Sequence, residues 1–336
     1  MKIAIAVANS NYQHSGIRRR ISTTADVFRK RSCRVDVFPL FSKFLGSEIG
    51  WFANEYPFVP ADYDVVILRS IILGKKMRNS FGDAHTFSER HYSIHLPESM
   101  KDLVRVTWER KILNPVHEST GILYVTSEIA RLDDFSKPNI VVGNPSLDVR
   151  LFDLFRRPMK RRVGMSVGSL ADWSGIDVFF KLAGLKQDFT FVLVMPNALR
   201  IPLGLSRGVS KNVQVVRVAN YSEYVSELLS WSHAVGPLAL ERKGLTEAAP
   251  LKVRDYISLG IPTFIRYLDT NLSRCDDEAL KQVSWEDQFW TESFLDWLTQ
   301  SNGGEILQLT KDCLDPMRVE GSKIDFIEAT IGNYQD

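Results

Sequence analysis

Pro250-Leu-Lys-Val-Arg-Asp-Tyr-Ile-Ser-Leu-Gly-Ile-Pro-Thr263 is the stretch of this 336-residue sequence that says most about the fold. It predicts a short helix from Leu251 to Leu259, which Gly260 can end by adopting a left-handed cap. Pro262 cannot continue a helix and is expected to start a strand. A helix followed at once by a strand is typical of an α/β protein.

The residues before this stretch contain short β-branched runs separated by helical segments. In the first half the runs cover residues 2–8, 34–38, 64–68, 103–107, 121–125 and 139–142. Residues 17–32 have room for one crossover helix between the first two runs, as in a βαβ unit. The first half is therefore expected to form a parallel sheet covered by helices.

The same pattern starts again after the charged, proline-containing residues 156–162, which are expected to link two domains. The second set of runs covers residues 163–167, 189–194, 213–218, 233–236 and 262–265. The sequence predicts two Rossmann-like domains, an N-terminal one over residues 1–155 and a C-terminal one over residues 156–315. The C-terminal segment 316–336 is expected to return to the N-terminal domain.

Composition limits the class of protein. Hydrophobic residues make up 44 % of the chain, as is ordinary for a globular protein. Cys33, Cys275 and Cys313 are widely spaced, which predicts neither a disulfide framework nor a zinc knuckle and favours the cytoplasm. No apolar run is long enough for a signal sequence or a membrane span, so we expect a soluble or peripheral protein.

The two halves differ in charge. Residues 1–162 contain 26 lysines and arginines against 17 aspartates and glutamates, whereas residues 163–336 contain 16 and 23. Basic clusters such as Arg18-Arg19-Arg20 could meet phosphates or an anionic membrane surface. The alternative is that they are solvated helix ends and turns.

Two common nucleotide-binding motifs are absent from the sequence. The first run leads into residues 9–16 without a G-x-G-x-x-G or a G-x-x-x-x-G-K-[ST] pattern, which argues against a dinucleotide dehydrogenase and a P-loop NTPase. Gly16 either permits a turn or lets the backbone approach a substrate.

Two motifs in the second half resemble those of one enzyme family. Gly168-Ser-Leu-Ala-Asp-Trp-Ser-Gly-Ile-Asp177 and the stretch 250–263 are together similar to the donor domain of group 1 (GT4-like) glycosyltransferases. The resemblance implies a GT-B fold, in which two Rossmann-like domains place their parallel sheets across a cleft. It also implies transfer of a sugar from a nucleotide-diphosphate sugar to an acceptor hydroxyl, with retention of configuration and without a metal or other cofactor.

The resemblance assigns roles to an acidic pair. Glu247 precedes Asp255 at the spacing of the family's two acids, with aspartate in the second place. Asp255 would bind the ribose hydroxyls of the donor and Glu247 its sugar, while Gly168 and Ser169 would form the turn at the diphosphate. The alternative is an N-terminal helix acid for Glu247 and a surface acid for Asp255.

The sequence departs from the family at the diphosphate. The arginine and lysine that usually neutralise it are replaced by Ser169 and Ser174. Arg242 and Lys243 are then the first candidates for supplying positive charge, and Lys252 and Arg18 are reserves.

The first domain contains fewer candidate site residues than the second. The family often has a histidine after a central strand, and Glu109 stands at the comparable position here, either as a group that serves the acceptor or as an ordinary helix-start acid. His85, His91 and His95 invite a metal interpretation, but a zinc site needs further ligands. We therefore predict no metal site and treat the histidines as surface or acceptor-facing residues.

The expected partners are a nucleotide-sugar donor and a glycan or lipid-linked acceptor, as in polysaccharide biosynthesis, with possible peripheral contact to the inner face of the membrane. Two alternatives stay open: a non-catalytic partner subunit with the same fold, and a nucleotide-sugar epimerase or hydrolase. Nucleic-acid binding is not expected, because the sequence contains no recognisable module for it.

Overall fold

The chain forms two compact units. The computed structural model describes residues 1–8, 15–40, 42–44, 51–53, 58–69, 72–73, 84–90, 119–133, 135–154, 161–202, 209–273, 280–301 and 308–333. Unit 1 comprises residues 1–147 and 316–336, and unit 2 comprises residues 148–315. The predicted strand at 103–107, and with it Glu109, His91 and His95, lies outside the described residues.

Unit 1 contains the strands β1 (Lys2–Ala8), β2 (Arg34–Leu40), β3 (Ser42–Phe44), β4 (Trp51–Ala53), β5 (Val65–Arg69), β6 (Ile72–Leu73), β7 (His85–Arg90), β8 (Gly121–Tyr124) and β9 (Asn139–Val141). Six of them form a sheet with the order β2-β1-β5-β7-β8-β9, in which all pairs are parallel. The other three form a smaller sheet with the order β3-β4-β6. Helix α1 (Ser15–Lys30) crosses from β1 to β2, and α2 (Ser127–Asp133) follows β8.

The apolar run of β1 explains its central place in this sheet. Ile3, Ala4, Ile5, Ala6 and Val7 are all at most 3 % exposed, so both faces of the strand are covered. Such a run suits a parallel strand, whose two faces are both buried by crossover helices.

Unit 2 repeats this architecture. Its strands are β10 (Arg162–Ser166), β11 (Thr190–Pro196), β12 (Val213–Val218), β13 (His233–Val235), β14 (Glu247–Ala248), β15 (Thr263–Ile265), β16 (Leu268–Asp269) and β17 (Leu280–Gln282). The main sheet has the order β12-β11-β10-β13-β15-β17 and is parallel throughout. The helices are α3 (Ile176–Leu185), α4 (Tyr221–Leu228), α5 (Leu251–Ser258), α6 (Trp290–Gln300) and α7 (Gln308–Leu314).

A glycine in β10 makes room for the largest buried side chain of unit 2. A Cβ atom on Gly164 would lie only 2.0 Å from the ring of Trp231, which is fully buried. The indole Nε1 donates a 3.0 Å hydrogen bond to Glu227, and the ring packs 5.5 Å from that of Tyr256. The interior of unit 2 is thus fixed directly beneath α5.

The last helix, α8 (Pro316–Gly332), belongs to unit 1. Ile324 and Ile327 are buried in the same core as β1, and Phe326 meets Phe87 of β7 edge to face, with ring centroids 6.1 Å apart. Arg31 donates a 2.7 Å hydrogen bond to Asp325 of this helix.

Most of the predicted elements are present in the described residues. The predicted α/β class and the two parallel sheets are confirmed, and the stretch 250–263 forms a helix and a strand as expected. Strands β7 and β17 of the two main sheets were not predicted, and neither were the short strands β3, β4, β6, β14 and β16. In β7 only Thr86, Phe87 and Ser88 are buried, so a polar sequence supplies a central strand.

Candidate functional site

A glycine-containing turn follows the central strand of unit 2. Ser166 ends β10, and a 3-10 helix over Asp172–Ser174 leads from there into α3. Gly175 has φ of 71°, in the left-handed region, and a Cβ there would lie 2.8 Å from that of Leu238, so a side chain is excluded. Gly168 is exposed, and a Cβ on it would meet nothing within 4 Å, so the beginning of the turn is accessible.

Ser166 is held on three sides by side chains. Its backbone N–H donates to the hydroxyl of Tyr256 at 2.9 Å, and its own hydroxyl lies 2.5 Å from the same phenol oxygen. Its carbonyl oxygen accepts a 2.8 Å hydrogen bond from Nζ of Lys252. The hydroxyl of Tyr224 on α4 lies 3.5 Å from Oγ. The point at which β10 passes into the turn is therefore rigidly positioned.

Lys252 presents an ammonium group at the carboxyl edge of the sheet. It lies in the first turn of α5, and burial lowers the pKa of its side chain to about 8. Because burial penalises the charged form, an anion that arrives at this position will favour the protonated state.

Asp255 lies on the same helix three residues later, a spacing that puts two side chains on one face. It is only 5 % exposed. Burial raises the pKa of Tyr224 well above its usual range, and the negative charge of Asp255 raises it further. Asp255 is thus close to α4, and the tyrosine stays neutral and able to donate a hydrogen bond.

Glu247 lies just before this helix. It forms β14 with Ala248, is partly buried, and pairs in parallel with Leu268 of β16. Glu247 is in a strand and Asp255 is buried, so the alternative of a helix-start acid and a surface acid is wrong for both residues.

Arg242 is engaged in a structural ion pair. Its two terminal nitrogens each donate a 2.8 Å hydrogen bond to the carboxylate of Asp177, at the start of α3. These bonds raise the pKa of Arg242 and lower that of Asp177. The side chain of Arg242 therefore ties the 3-10 helix Leu240–Lys243 to α3, and its charge is balanced locally.

Lys243 brings a second cation to the glycine turn. Its Nζ lies 5.4 Å from the ring centroid of Trp173, within the turn itself. Burial lowers the pKa of this lysine to about 8 as well. Burial thus lowers the pKa of two lysines here: Lys252 contacts the end of β10, and Lys243 lies beside the turn that follows it.

The structure places Lys252 and Asp255 on α5 and Gly168 just beyond the end of β10, whereas the sequence analysis did not identify Ser166 or Tyr224. Ser166 could have been found from the rule that ligands bind beyond the carboxyl ends of parallel strands, because it is the last residue of β10. Tyr224 carries no local signal, since only the packing of α4 beside α5 brings its hydroxyl to Ser166.

The corresponding edge of unit 1 carries a buried ion-pair network. Arg69 ends β5 and pairs with Glu89 of β7 at 3.0 Å, and Lys323 of α8 contacts the same carboxylate at 2.6 Å. Arg20 pairs with Glu320 at 2.6 Å, and both side chains are fully buried. Sequence patterns did not identify this network.

Arg20 departs from both interpretations of the Arg18-Arg19-Arg20 cluster, because its side chain is fully buried and paired with Glu320. Arg18 is exposed, and Gly16 lies partly buried in the first turn of α1. His85 starts β7.

In the described ranges, no group of three histidine, cysteine, aspartate or glutamate side chains could hold a metal ion. Nor does any helix in those ranges have the length and apolar character needed to cross a membrane.

No protein-family model matches this sequence, and no curated protein matches it in a sequence comparison. Solved structures do match its fold. One is an alpha-glucosyltransferase in complex with UDP and a 13-mer DNA containing a central A:G mismatch, with a TM-score of 0.65 and 14 % identity; the match covers 98 % of this chain and 100 % of that one.

Two further structures match over similar lengths. Sucrose-phosphate synthase from Thermosynechococcus elongatus has a TM-score of 0.65 and 11 % identity, and the match covers 100 % of this chain and 98 % of that one. A glycosyltransferase involved in avilamycin A biosynthesis has a TM-score of 0.63 and 11 % identity, with 99 % of this chain and 98 % of that one covered. These likenesses confirm the predicted GT-B fold.

Proposed function

We propose that this chain is a glycosyltransferase that moves a sugar from a nucleotide-diphosphate sugar to an acceptor hydroxyl. The observation that carries the proposal is the convergence of Lys252, Asp255 and the turn at Gly168 on the end of β10. In doubly wound sheets, ligands bind at this edge, where turn backbone and helix N-termini can receive phosphate. The matched alpha-glucosyltransferase was solved with UDP, which makes UDP the first nucleotide to test.

The proposed division of roles follows from the chemistry of each group. Asp255 accepts hydrogen bonds from the ribose hydroxyls, and Glu247 accepts them from the transferred sugar. The backbone N–H groups of Gly168 and Ser169 meet the diphosphate. Lys252 donates to its oxygens, because its Nζ already lies at the end of β10.

This assignment changes the order of the cationic candidates. Arg242 is already paired with Asp177, so moving it onto a diphosphate would break two hydrogen bonds. Lys252 would give up a single hydrogen bond, to the neutral carbonyl of Ser166, and Lys243 lies beside the ring of Trp173. We therefore assign the neutralisation of the diphosphate to the two lysines, in place of the arginine and lysine that Ser169 and Ser174 replace.

In the reaction, the bond between the anomeric carbon and the diphosphate oxygen breaks as the acceptor oxygen bonds to that carbon. The proton of the acceptor hydroxyl passes to the departing diphosphate oxygen, and the nucleoside diphosphate leaves. Both lysines stabilise the negative charge that develops on the leaving group, which lowers the barrier. No step requires a metal ion, and we propose retention of configuration in line with the GT4-like motifs.

The acceptor side of the proposal rests on sequence alone. We propose a glycan or lipid-linked acceptor, as in polysaccharide biosynthesis, with Glu109 and Gly16 on the acceptor side and Arg18 available to an acceptor phosphate. A peripheral position on the inner face of the membrane would suit the basic first half. Sedimentation with phosphatidylglycerol vesicles at low salt tests this, and protein that stays in the supernatant refutes membrane contact.

A two-step assay tests the function itself. Melting temperature is first measured with UDP, GDP, dTDP and their glucose conjugates, and stabilisation by one nucleotide family is expected. Release of that nucleotide is then followed with and without a pool of glycan acceptors. Release that depends on acceptor supports a transferase, release without acceptor identifies a hydrolase, and sugar isomerisation identifies an epimerase. If no nucleotide or nucleotide sugar raises the melting temperature, the result supports the alternative of a non-catalytic partner subunit.

A further inference from the structure

A cavity of about 390 Å³ lies at the carboxyl edge of the main sheet of unit 2, beyond β15 and β17. Its size falls within the range of about 300–1,000 Å³ that is usual for small-molecule pockets. Three segments line it: the residue before β14, the residues after β15, and the loop after β17. The lining residues are Thr246, Tyr267, Leu268, Gln282, Val283, Ser284, Trp285 and Glu286.

Hydrogen bonds to residues outside the cavity fix the positions of its lining segments. Gln282 accepts a 2.9 Å hydrogen bond from the backbone of Asp269 and donates a 3.0 Å bond to the carbonyl of Leu272. The guanidinium of Arg266 donates a 2.8 Å bond to the carbonyl of Trp285 and lies 4.7 Å from the ring centroid of Trp290. The loop that carries Trp285 is therefore positioned before any ligand arrives, which lowers the entropy cost of binding.

The lining has the chemistry of a site for a neutral, hydroxylated ligand. It includes an indole, three residues with hydroxyl groups and one carboxylate, but neither lysine nor arginine. Glu286 is exposed, and its carboxylate forms no ion pair with any residue that the structure describes. An anionic ligand such as a nucleoside diphosphate would be repelled here. A sugar ring would instead place its apolar face on the indole and donate hydroxyl hydrogen bonds to Glu286.

The strand order places this cavity two to three strands away from β10. The sheet runs β10-β13-β15-β17, and neighbouring strands lie about 4.8 Å apart, so β15 and β17 are roughly 10 and 14 Å from β10. The pairing of Glu247 with Leu268 joins the cavity to the strand that carries the proposed sugar-binding acid. A ligand in the cavity would therefore lie roughly 10–14 Å from β10, next to the segment that carries Glu247.

We propose that the cavity is a saccharide subsite that binds a neutral sugar unit of the acceptor. That this sugar belongs to the acceptor rests on the proposed function, whereas sugar binding by the cavity does not. Trp285 provides the stacking face and Glu286 the hydrogen-bond acceptor. The subsite would select acceptors that carry a neutral sugar next to the reacting unit.

The full chain is first applied to a glycan microarray, and the glycan retained most strongly is titrated by isothermal calorimetry. Trp285→Ala is expected to weaken its binding about tenfold or more, and Glu286→Gln about threefold. Phe289→Ala is the matched control, because Phe289 is 70 % exposed, lies in the same loop and does not line the cavity; its affinity should match the wild type. Glu286 is on the surface, so its replacement cannot be misread as unfolding.

Two results would overturn the subsite: no glycan is retained on the array, or Trp285→Ala and Glu286→Gln both bind the glycan as tightly as Phe289→Ala does. A UDP titration of the same proteins separates this inference from the proposed function. UDP affinity unchanged by Trp285→Ala, together with lost glycan binding, supports a separate subsite. UDP binding without any glycan binding leaves the donor site intact and removes the subsite alone.

Discussion

Lys252 occupies a position where its charge is unfavourable for folding and useful for binding. Its pKa is lowered from 10.5 to about 8 by burial, so between these values the unfolded chain binds more protons than the folded one. Unfolding free energy therefore rises with pH over this window, because the cost of burying the ammonium disappears as it loses its proton. An anion bound beside the ammonium would offset this cost.

The residue-scale prediction is that Lys252→Met weakens UDP binding about ten- to hundredfold at pH 7, the range expected for losing a charged hydrogen bond. The melting temperature at pH 7 should not fall, because methionine avoids the cost of a buried ammonium. UDP affinity of the wild type should decrease from pH 7 to 10, and less steeply in the variant. Calorimetric titrations across pH measure both effects.

The control for this variant is Lys181→Met, which replaces an exposed lysine on α3 and should leave UDP affinity and its pH profile unchanged. If Lys252→Met bound UDP as tightly as this control, Lys252 would have no role at the diphosphate.

A second residue-scale prediction separates the two kinds of cation. Arg242→Gln should lower the free energy of unfolding by about 0.5–1 kcal/mol, because a half-exposed ion pair is lost. Its effect on UDP affinity should be smaller than that of Lys252→Met. Urea denaturation measures the free energy of unfolding, and UDP titration measures the affinity. If Arg242→Gln lost more UDP affinity than Lys252→Met, Arg242 and not Lys252 would be the main cation at the diphosphate.

At the scale of elements, β10 and Trp231 form the support beneath the donor site. Gly164→Ala would place a methyl group inside the indole ring, so it should lower the free energy of unfolding by about 1–3 kcal/mol or more. UDP binding should weaken too, because Trp231 packs against Tyr256, which positions Ser166. Denaturation in urea and UDP titration test the coupling.

Gly184→Ala is the matched control for this prediction. Gly184 lies in α3, and its added Cβ would meet nothing within 4 Å, so stability should stay the same or rise by about 0.5–1 kcal/mol. Equal stability of the Gly164 and Gly184 variants would show that Trp231 can move without cost.

The elements also show where sequence patterns succeed. Runs such as β1 and β11 are continuous and apolar, and they were predicted because a parallel strand buries both faces. β7 was missed because Ser88 and Thr86 are buried polar residues that resemble a loop in sequence. Ser88 meets Ser119 across 2.6 Å, a partner that no local pattern reveals.

At the scale of the whole molecule, α8 joins the end of the chain to unit 1 by charge as well as by packing. Lys323→Met would leave Glu89 and Glu320 without one of their cations in a buried setting, which should lower the free energy of unfolding by about 3 kcal/mol. UDP affinity of the folded protein should be unchanged, because this network lies in the other unit. Loss of UDP affinity with no loss of stability would contradict this account.

How much of the candidate site could be predicted also depends on scale. The motif around Asp255 predicted a helix that ends at a glycine and a strand that follows, because helix caps and strand starts are encoded locally. The sequence could not predict which cationic side chain is engaged in an ion pair. Arg242 and Lys243 are neighbours in sequence, yet one is bound to Asp177 and the other faces Trp173. Only tertiary contacts make that distinction.

The central claim is that the end of β10, with Lys252 and Asp255 of α5, holds the diphosphate and ribose of a nucleotide sugar. A crystal structure of the chain with UDP tests it most directly. We predict a ribose hydroxyl within hydrogen-bond distance, about 2.6–3.2 Å, of the Asp255 carboxylate, with Lys252 Nζ on a diphosphate oxygen. UDP bound elsewhere, with Lys252 still donating to Ser166 and Asp255 away from the nucleotide, would contradict the account.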